Sequence, residues 1–161
     1  MRIVGIDPSL KATGYGFLEV VDGKVKLLET GTIEPKQKDP MPKRIERIYS
    51  ILDSLIVEYH PDILVLEKLY HHTEYPTTAS ILGHVRGVIC LLCAQHGLTL
   101  VEHSVKRIRK ALVGNGNATK EQTRRLVAQL LNIKETQLGL DTSDALALAL
   151  GHAHMLRFKL I

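Results

Sequence analysis

Tryptophan is absent from this 161-residue chain and aromatic residues make up only 4% of it, so leucine, isoleucine, valine and alanine must fill the core. Two cysteines are too few for a disulfide framework. Nothing at Met1-Arg2-Ile3 resembles a charged, apolar, cleavable leader. No stretch free of charge approaches the roughly 20 apolar residues of a membrane span. These absences set the expectation of a soluble, cytoplasmic protein. Internal repeats, low-complexity runs and linkers are missing too, which predicts one domain over residues 1–161. What is present, 45% hydrophobic and 24% charged residues, excludes a disordered or collagen-like chain.

The net charge of +4 decides little until its distribution is read. Lys106, Arg107, Arg109, Lys110, Lys120, Arg124 and Arg125 face a single acid, Glu121, between residues 106 and 125. That window carries +6 and leaves −2 for the rest of the chain. A basic zone on a slightly acidic body is the footprint of a polyanion partner, although two helices with solvated basic faces would give the same count.

Hydrophobic spacing divides the chain into alternating elements. Arg2 to Asp7 reads as a buried strand closed off by Pro8. Gly14 to Val20 and Lys24 to Ile33 read as two more, joined by the hairpin signal Asp22-Gly23. After a polar loop from Pro35 to Pro42, Ile45, Ile48, Leu52, Leu55, Ile56 and Tyr59 recur at helical spacing and stop before Pro61. Ile63 to Leu66 and Leu98 to Val101 are further strands, with a helix from Thr78 to His96 between them. Helices at Val105 to Val113, Lys120 to Leu131 and Asp141 to Phe158 complete the chain. Strands linked by helical crossovers predict an α/β fold with a mixed five-stranded sheet flanked by helices.

Four carboxylates stand where such a fold gathers them. Asp7 and Glu67 end apolar strands, and open α/β sheets bind ligands at the carboxyl ends of their strands. Asp141 and Asp144 lie three apart at the start of the last helix and share one face. Each has a plain explanation: a turn former before Pro8, a surface acid, an N-cap and a first-turn acid. Together they would repel one another strongly unless a cation intervened, and an all-oxygen set suits Mg²⁺ or Mn²⁺. Two such ions can drive phosphodiester cleavage, with the basic zone holding the substrate's phosphates.

The ordered segments Asp7-Pro8-Ser9, Thr13-Gly14-Tyr15-Gly16, Glu67, Leu82-Gly83-His84-Val85-Arg86-Gly87, Val113-Gly114-Asn115-Gly116 and Asp141-Thr142-Ser143-Asp144-Ala145-Leu146-Ala147 resemble the signature segments of the RuvC family of Holliday-junction resolvases. The resemblance covers nearly the whole chain. It implies a ribonuclease H-like fold, a homodimer, and Mg²⁺-dependent endonuclease action on four-way junction DNA in recombination and repair. It maps the family's metal-binding acids onto Asp7, Glu67, Asp141 and Asp144. On that mapping Asp7 bridges two ions, Glu67 and Asp141 complete opposite sides, and Asp144 assists one ion. It places DNA contacts at Arg109 and Lys120 and sets Tyr70 near the junction centre. It also implies a junction-binding protein and a branch-migration helicase, RuvA and RuvB, as partners. Ser9 stands where the family usually has glycine, and the run His71-His72-Thr73-Glu74-Tyr75-Pro76 departs from the usual pattern.

Other motifs are weaker. Thr119 and Gln122 form a capping-box pattern after Gly114-Asn115-Gly116-Asn117, which could aim backbone amides at a phosphate beside Lys120. Cys90 and Cys93 lack a second pair of ligands and are expected in the core. The eight histidines are scattered, and His71-His72 reads as an exposed loop pair. Three rival readings remain: a ribonuclease H or transposase-like nuclease on another substrate, a non-catalytic DNA-structure-binding module, and an actin-like nucleotide-binding lobe.

Overall fold

The computed structural model describes residues 1–68 and 76–159. Tyr70, His71 and His72 lie outside the described residues. The strands are β1 (Arg2–Asp7), β2 (Thr13–Val21), β3 (Lys24–Ile33), β4 (Ile63–Glu67) and β5 (Thr99–His103). The helices are α1 (Met41–Tyr59), α2 (Pro76–His96), α3 (Val105–Val113), α4 (Lys120–Leu131) and α5 (Leu140–Lys159). The sheet order is β3-β2-β1-β4-β5, with β1–β2 and β2–β3 antiparallel and β1–β4 and β4–β5 parallel. This is the mixed five-stranded α/β sheet that the sequence predicts.

Local chemistry explains the element ends. Asp22 and Gly23 both take positive φ, as a two-residue hairpin turn demands. Pro42 sits in the first turn of α1, where its missing N–H is no loss. That lets the helix begin at Met41, inside the stretch expected to be loop. Ser104 caps α3 and Thr119 caps α4, the latter with the reciprocal Gln122 bond of a capping box. Strand β5 extends to His103, two residues past the predicted end at Val101. Its ladder with β4 continues through Glu67↔His103, although Glu102 and His103 break the apolar run.

Side-chain alternation on the strands builds two cores. Val4, Ile6, Phe17, Leu64 and Leu66 face α1 and α2, meeting Ile48, Leu52, Val85, Ile89 and Leu92. Ile3, Leu18 and Val65 face the other way, against Ile108, Val127, Leu146 and Ala149 of α3, α4 and α5. With a period of two, Asp7 falls on the face of Ile3 and Glu67 on the face of Val65. Both terminal acids are therefore aimed at the side covered by α5.

α5 lies against that face at backbone contact. A Cβ built on Gly5 would sit 2.0 Å from the Ala145 carbonyl oxygen, and one on Gly14 would sit 2.2 Å from that of Asp141. On Gly16 it would meet Leu146 Cδ2 at 2.4 Å. Only glycine on the strands allows this approach.

α2 is apolar and long enough to cross a membrane by length and composition, but Val85, Ile89 and Leu92 bury one side of it against the sheet. Cys93 is buried as expected, and its burial raises the thiol pKa to about 11. Cys90 is exposed, which corrects the expectation that both thiols are in the core. Three residues of helix rotate it off the buried stripe.

The Gly5→Ala variant should lose about 3 kcal/mol of stability, because the methyl group meets main chain that cannot step aside. A urea titration with an unchanged slope and a lowered midpoint would check this.

Candidate active site

Asp7 ends β1 and Glu67 ends β4. The parallel ladder runs to Ile6↔Leu66, so the two acids are one step past its last rung, side by side at the carboxyl edge of the sheet. Gly14 of β2 stands opposite Asp7 in the register. The Asp141 main chain lies directly on Gly14, which brings the start of α5 over the Asp7 end of β1. Asp141 is in the first turn of the helix and is not its N-cap, since α5 starts at Leu140. Gly139 O accepts there from Ser143 N and Thr142 Oγ1.

A cleft of about 70 Å³ opens between these elements, lined by Asp7, Glu67 and Asp144 with Arg109, Lys120 and Thr123. Its apolar floor is Val105, Ile108, Ala147 and Leu148. Asp141 does not line the cleft itself, but its charge is felt at Asp7. Burial, then the charges of Asp144, Glu67 and Asp141, push the Asp7 carboxyl up from 3.8 to about 7, against the opposing pull of Lys120. Burial and Asp144 likewise raise Glu67, opposed by Lys120, Arg109 and Arg86.

The four acids predicted from sequence are thus electrostatically one group. Among the described residues no three of them are close enough as they stand to enclose an ion. The Lys120 ammonium occupies Asp144, with Nζ 2.8 Å from Oδ2, and this contact raises the Lys120 pKa. A crowded, all-oxygen donor set that has already drawn in one cation fits a hard divalent ion.

The basic residues divide. Arg109 and Lys120 border the acids, and Lys106, Arg107 and Lys110 are exposed along α3. Arg124 is turned elsewhere: its Nη2 donates to the Glu135 carbonyl at 2.8 Å, tying α4 to the turn that precedes α5. Tyr70 falls outside the described residues.

Three features escaped the sequence reading. Thr13, fully buried, accepts from Ser9 N and donates to Ser9 O, closing the turn after Asp7. His103, opposite Glu67 in the β4–β5 register, and His152, both expected to be among scattered histidines, approach to 3.0 Å. Arg86, quoted only as part of a signature segment, bonds the Glu67 carbonyl. An arginine alone among the Lys, Arg, Asp and Glu types in an apolar helix was the available signal for the last.

The family model described as crossover junction endodeoxyribonuclease RuvC matches residues 3–152. The chain belongs to the RuvC family. A RuvC from Alkaliphilus metalliredigens is 38% identical over 159 residues, covering 99% of this chain and 96% of the relative. One from Rhodopirellula baltica is 36% identical over 151 residues, covering 93% and 85%. The solved RuvC of Thermus thermophilus superposes with a TM-score of 0.90 at 25% identity, covering 99% of this chain and 97% of that one. The fold is therefore the ribonuclease H-like fold of RuvC. The T. thermophilus RuvC solved with a Holliday junction substrate has the same fold, with a TM-score of 0.88 at 23% identity over 98% and 96% of the chains.

Asp7 has a testable consequence for stability. Its carboxyl titrates near 3.8 when unfolded and near 7 when folded, so the folded protein keeps a proton that the unfolded chain releases. Asp7 is harmless below about pH 4 and destabilises increasingly as the pH rises through 7. Without divalent metal, Asp7→Asn should match the parent at pH 4 and exceed it by on the order of 3 kcal/mol at pH 8. Chemical denaturation across that range measures the difference.

Proposed function

We propose that this protein is a Mg²⁺-dependent endodeoxyribonuclease that resolves Holliday junctions by paired, symmetric nicks during DNA recombination and repair. The observation that carries the reading is the cleft in which Asp7, Glu67 and Asp144 meet beside Arg109 and Lys120. Membership of the RuvC family, with relatives named crossover junction endodeoxyribonuclease at 38% identity, supports it.

Asp7, Glu67, Asp141 and Asp144 would hold two Mg²⁺ ions, or Mn²⁺ in their place. Such ions supply the charge that activates a water and offsets the charge on the leaving oxygen. The chain's own residues do the remaining work. Asp7, repelled by all three other acids, gains most from a bound cation. Arg109 and Lys120, which line the cleft beside the acids, would receive the substrate's phosphates. Lys106, Arg107 and Lys110 extend the basic surface along α3, so affinity falls steeply with salt. The apolar floor of the cleft keeps the local dielectric low, which strengthens each of these charge contacts.

A homodimer completes the reading. Only 22% of the Thr77–His96 stretch of α2 is buried, and Gly83, Gly87, Cys90 and Leu91 are exposed along it. A Cβ on Gly83 or Gly87 would meet nothing within 4 Å, so a second helix can approach closely there. A two-fold pair would cover this face and offer one cleft to each of two opposed strands.

The Asp7→Asn variant should bind a synthetic four-way junction like the parent and lose cleavage in Mg²⁺. Retained cleavage would remove Asp7 from the site. Under one salt condition the parent should cut the four-way junction and spare linear duplex and RNA–DNA hybrid. Cleavage of the hybrid instead would favour the ribonuclease H-like alternative.

Leu91, 51% exposed on the proposed dimer face, tests the assembly. Leu91→Asp should elute as a monomer in light scattering and should nick the two strands independently, where the parent cuts them together.

A further inference from the structure

α2 contains one Lys, Arg, Asp or Glu residue along its 21 positions, and that residue, Arg86, has a side chain only 12% exposed. A guanidinium held that far from water needs oxygen partners to offset its lost hydration. It has two. Nη1 donates to the main-chain carbonyl of Glu67 at 2.8 Å, and Nη2 pairs with Oε1 of Glu102 on β5.

Glu67 is where β4 leaves the sheet. The ladder with β1 stops one residue earlier, at Ile6↔Leu66. On the β5 side the last support is Lys68 N donating to His103 O at 2.8 Å. The Glu67 main chain is thus supported by β5 and, through its own carbonyl, by α2.

We propose that Arg86 is a positioning residue for the Glu67 carboxylate, a two-armed clamp that ties α2 to the ends of β4 and β5. The proposal rests on the reading of Glu67 as one of the metal-holding acids. The physical reason is tolerance: a ligand carboxylate at a strand end paired on one side only swings with its main chain, and displacement of about 1 Å is enough to cost about 100-fold in rate. Arginine suits the position because its planar fork reaches two oxygens at once. Lysine would keep the charge and give up one arm. Glutamine would give up the charge and the fork together.

The test compares Arg86→Gln, Arg86→Lys, Glu102→Gln and Glu67→Gln in the full chain, with circular dichroism confirming the fold of each. Mn²⁺ binding is measured by calorimetry without DNA, and kcat and KM with a synthetic junction in Mg²⁺. Arg86→Gln should weaken Mn²⁺ binding by about 10-fold, in the range of residues that orient a metal ligand, and lower kcat with KM near the parental value. Arg86→Lys should recover part of both losses. Glu102→Gln, which leaves the carbonyl bond in place, should show a smaller loss in the same direction.

A folded Arg86→Gln protein with parental Mn²⁺ affinity and kcat overturns the proposal, as does a loss confined to KM. If Arg86→Gln does not fold, Glu102→Gln decides, and parental values there overturn it. Glu67→Gln separates the two layers of the argument. Parental metal binding and cleavage in that variant would sink the metal reading of Glu67 itself. Their loss there, with Arg86→Gln unaffected, would sink only the clamp.

Discussion

The close seating of α5 on β1 and β2 is the constraint on which the rest of the site depends. Gly5, Gly14 and Gly16 put no side chain of their own between strand and helix, and α5 meets Gly5 at Ala145 and Ala149, Gly14 at Asp141 and Gly16 at Leu146. Helices ordinarily stand off a sheet by the depth of their side chains; at Gly5 and Gly14 main chain meets main chain. The gain is reach. Aspartate has one methylene, so Asp141 and Asp144 influence Asp7 only because the helix that bears them is this near. A larger residue at Gly14 would meet the Asp141 carbonyl and lift the acids away. The glycines are therefore as much a part of the site as the carboxylates.

That closeness opposes stability. Four acids forced toward one cleft repel, and burial compounds the repulsion by weakening the solvation of each charge. The structure answers in two local ways: Asp7 holds its proton up to about pH 7, and Lys120 crosses from α4 to Asp144. Neither neutralises the whole group. On the proposed reading two divalent cations, +4 against four carboxylates, would do so, because they favour the ionised form of every ligand together. On the proposed reading, the acids are kept in an unfavourable arrangement by packing so that ion binding relieves it, which is a familiar exchange of stability for function.

Much of this was legible because it is periodic or terminal. The unbroken apolar run Ile3-Val4-Gly5-Ile6 marks β1 as a buried strand, and an acid closing such a strand stands out. The capping pair Thr119 and Gln122 is local chemistry, and the structure bears it out. What could not be read is what depends on tertiary approach. The end of β5 was missed because Glu102 and His103 are held by β4 and α5 and do not extend an apolar pattern. Arg124 looked like any other base in a basic window until its guanidinium was seen on the Glu135 carbonyl. Cys90 and Cys93 differ in burial by a helical rotation that composition does not register.

The two sides of the cleft are held by different means. On the Asp7 side the support is steric and cannot move without moving α5: glycines, small residues and the Thr13–Ser9 turn. On the Glu67 side it is polar, a guanidinium between a carbonyl and a carboxylate, with Glu102 40% exposed to solvent. Steric contacts resist displacement sharply and are indifferent to salt. Charge-assisted contacts yield more gradually and respond to nearby ions. Asp7 is thus held by shape, and Glu67, on the proposed reading, by the charge-assisted clamp of Arg86. On the proposed reading, the two kinds of support together keep the carboxylates placed for metal ions and a strongly anionic substrate in the same small cleft.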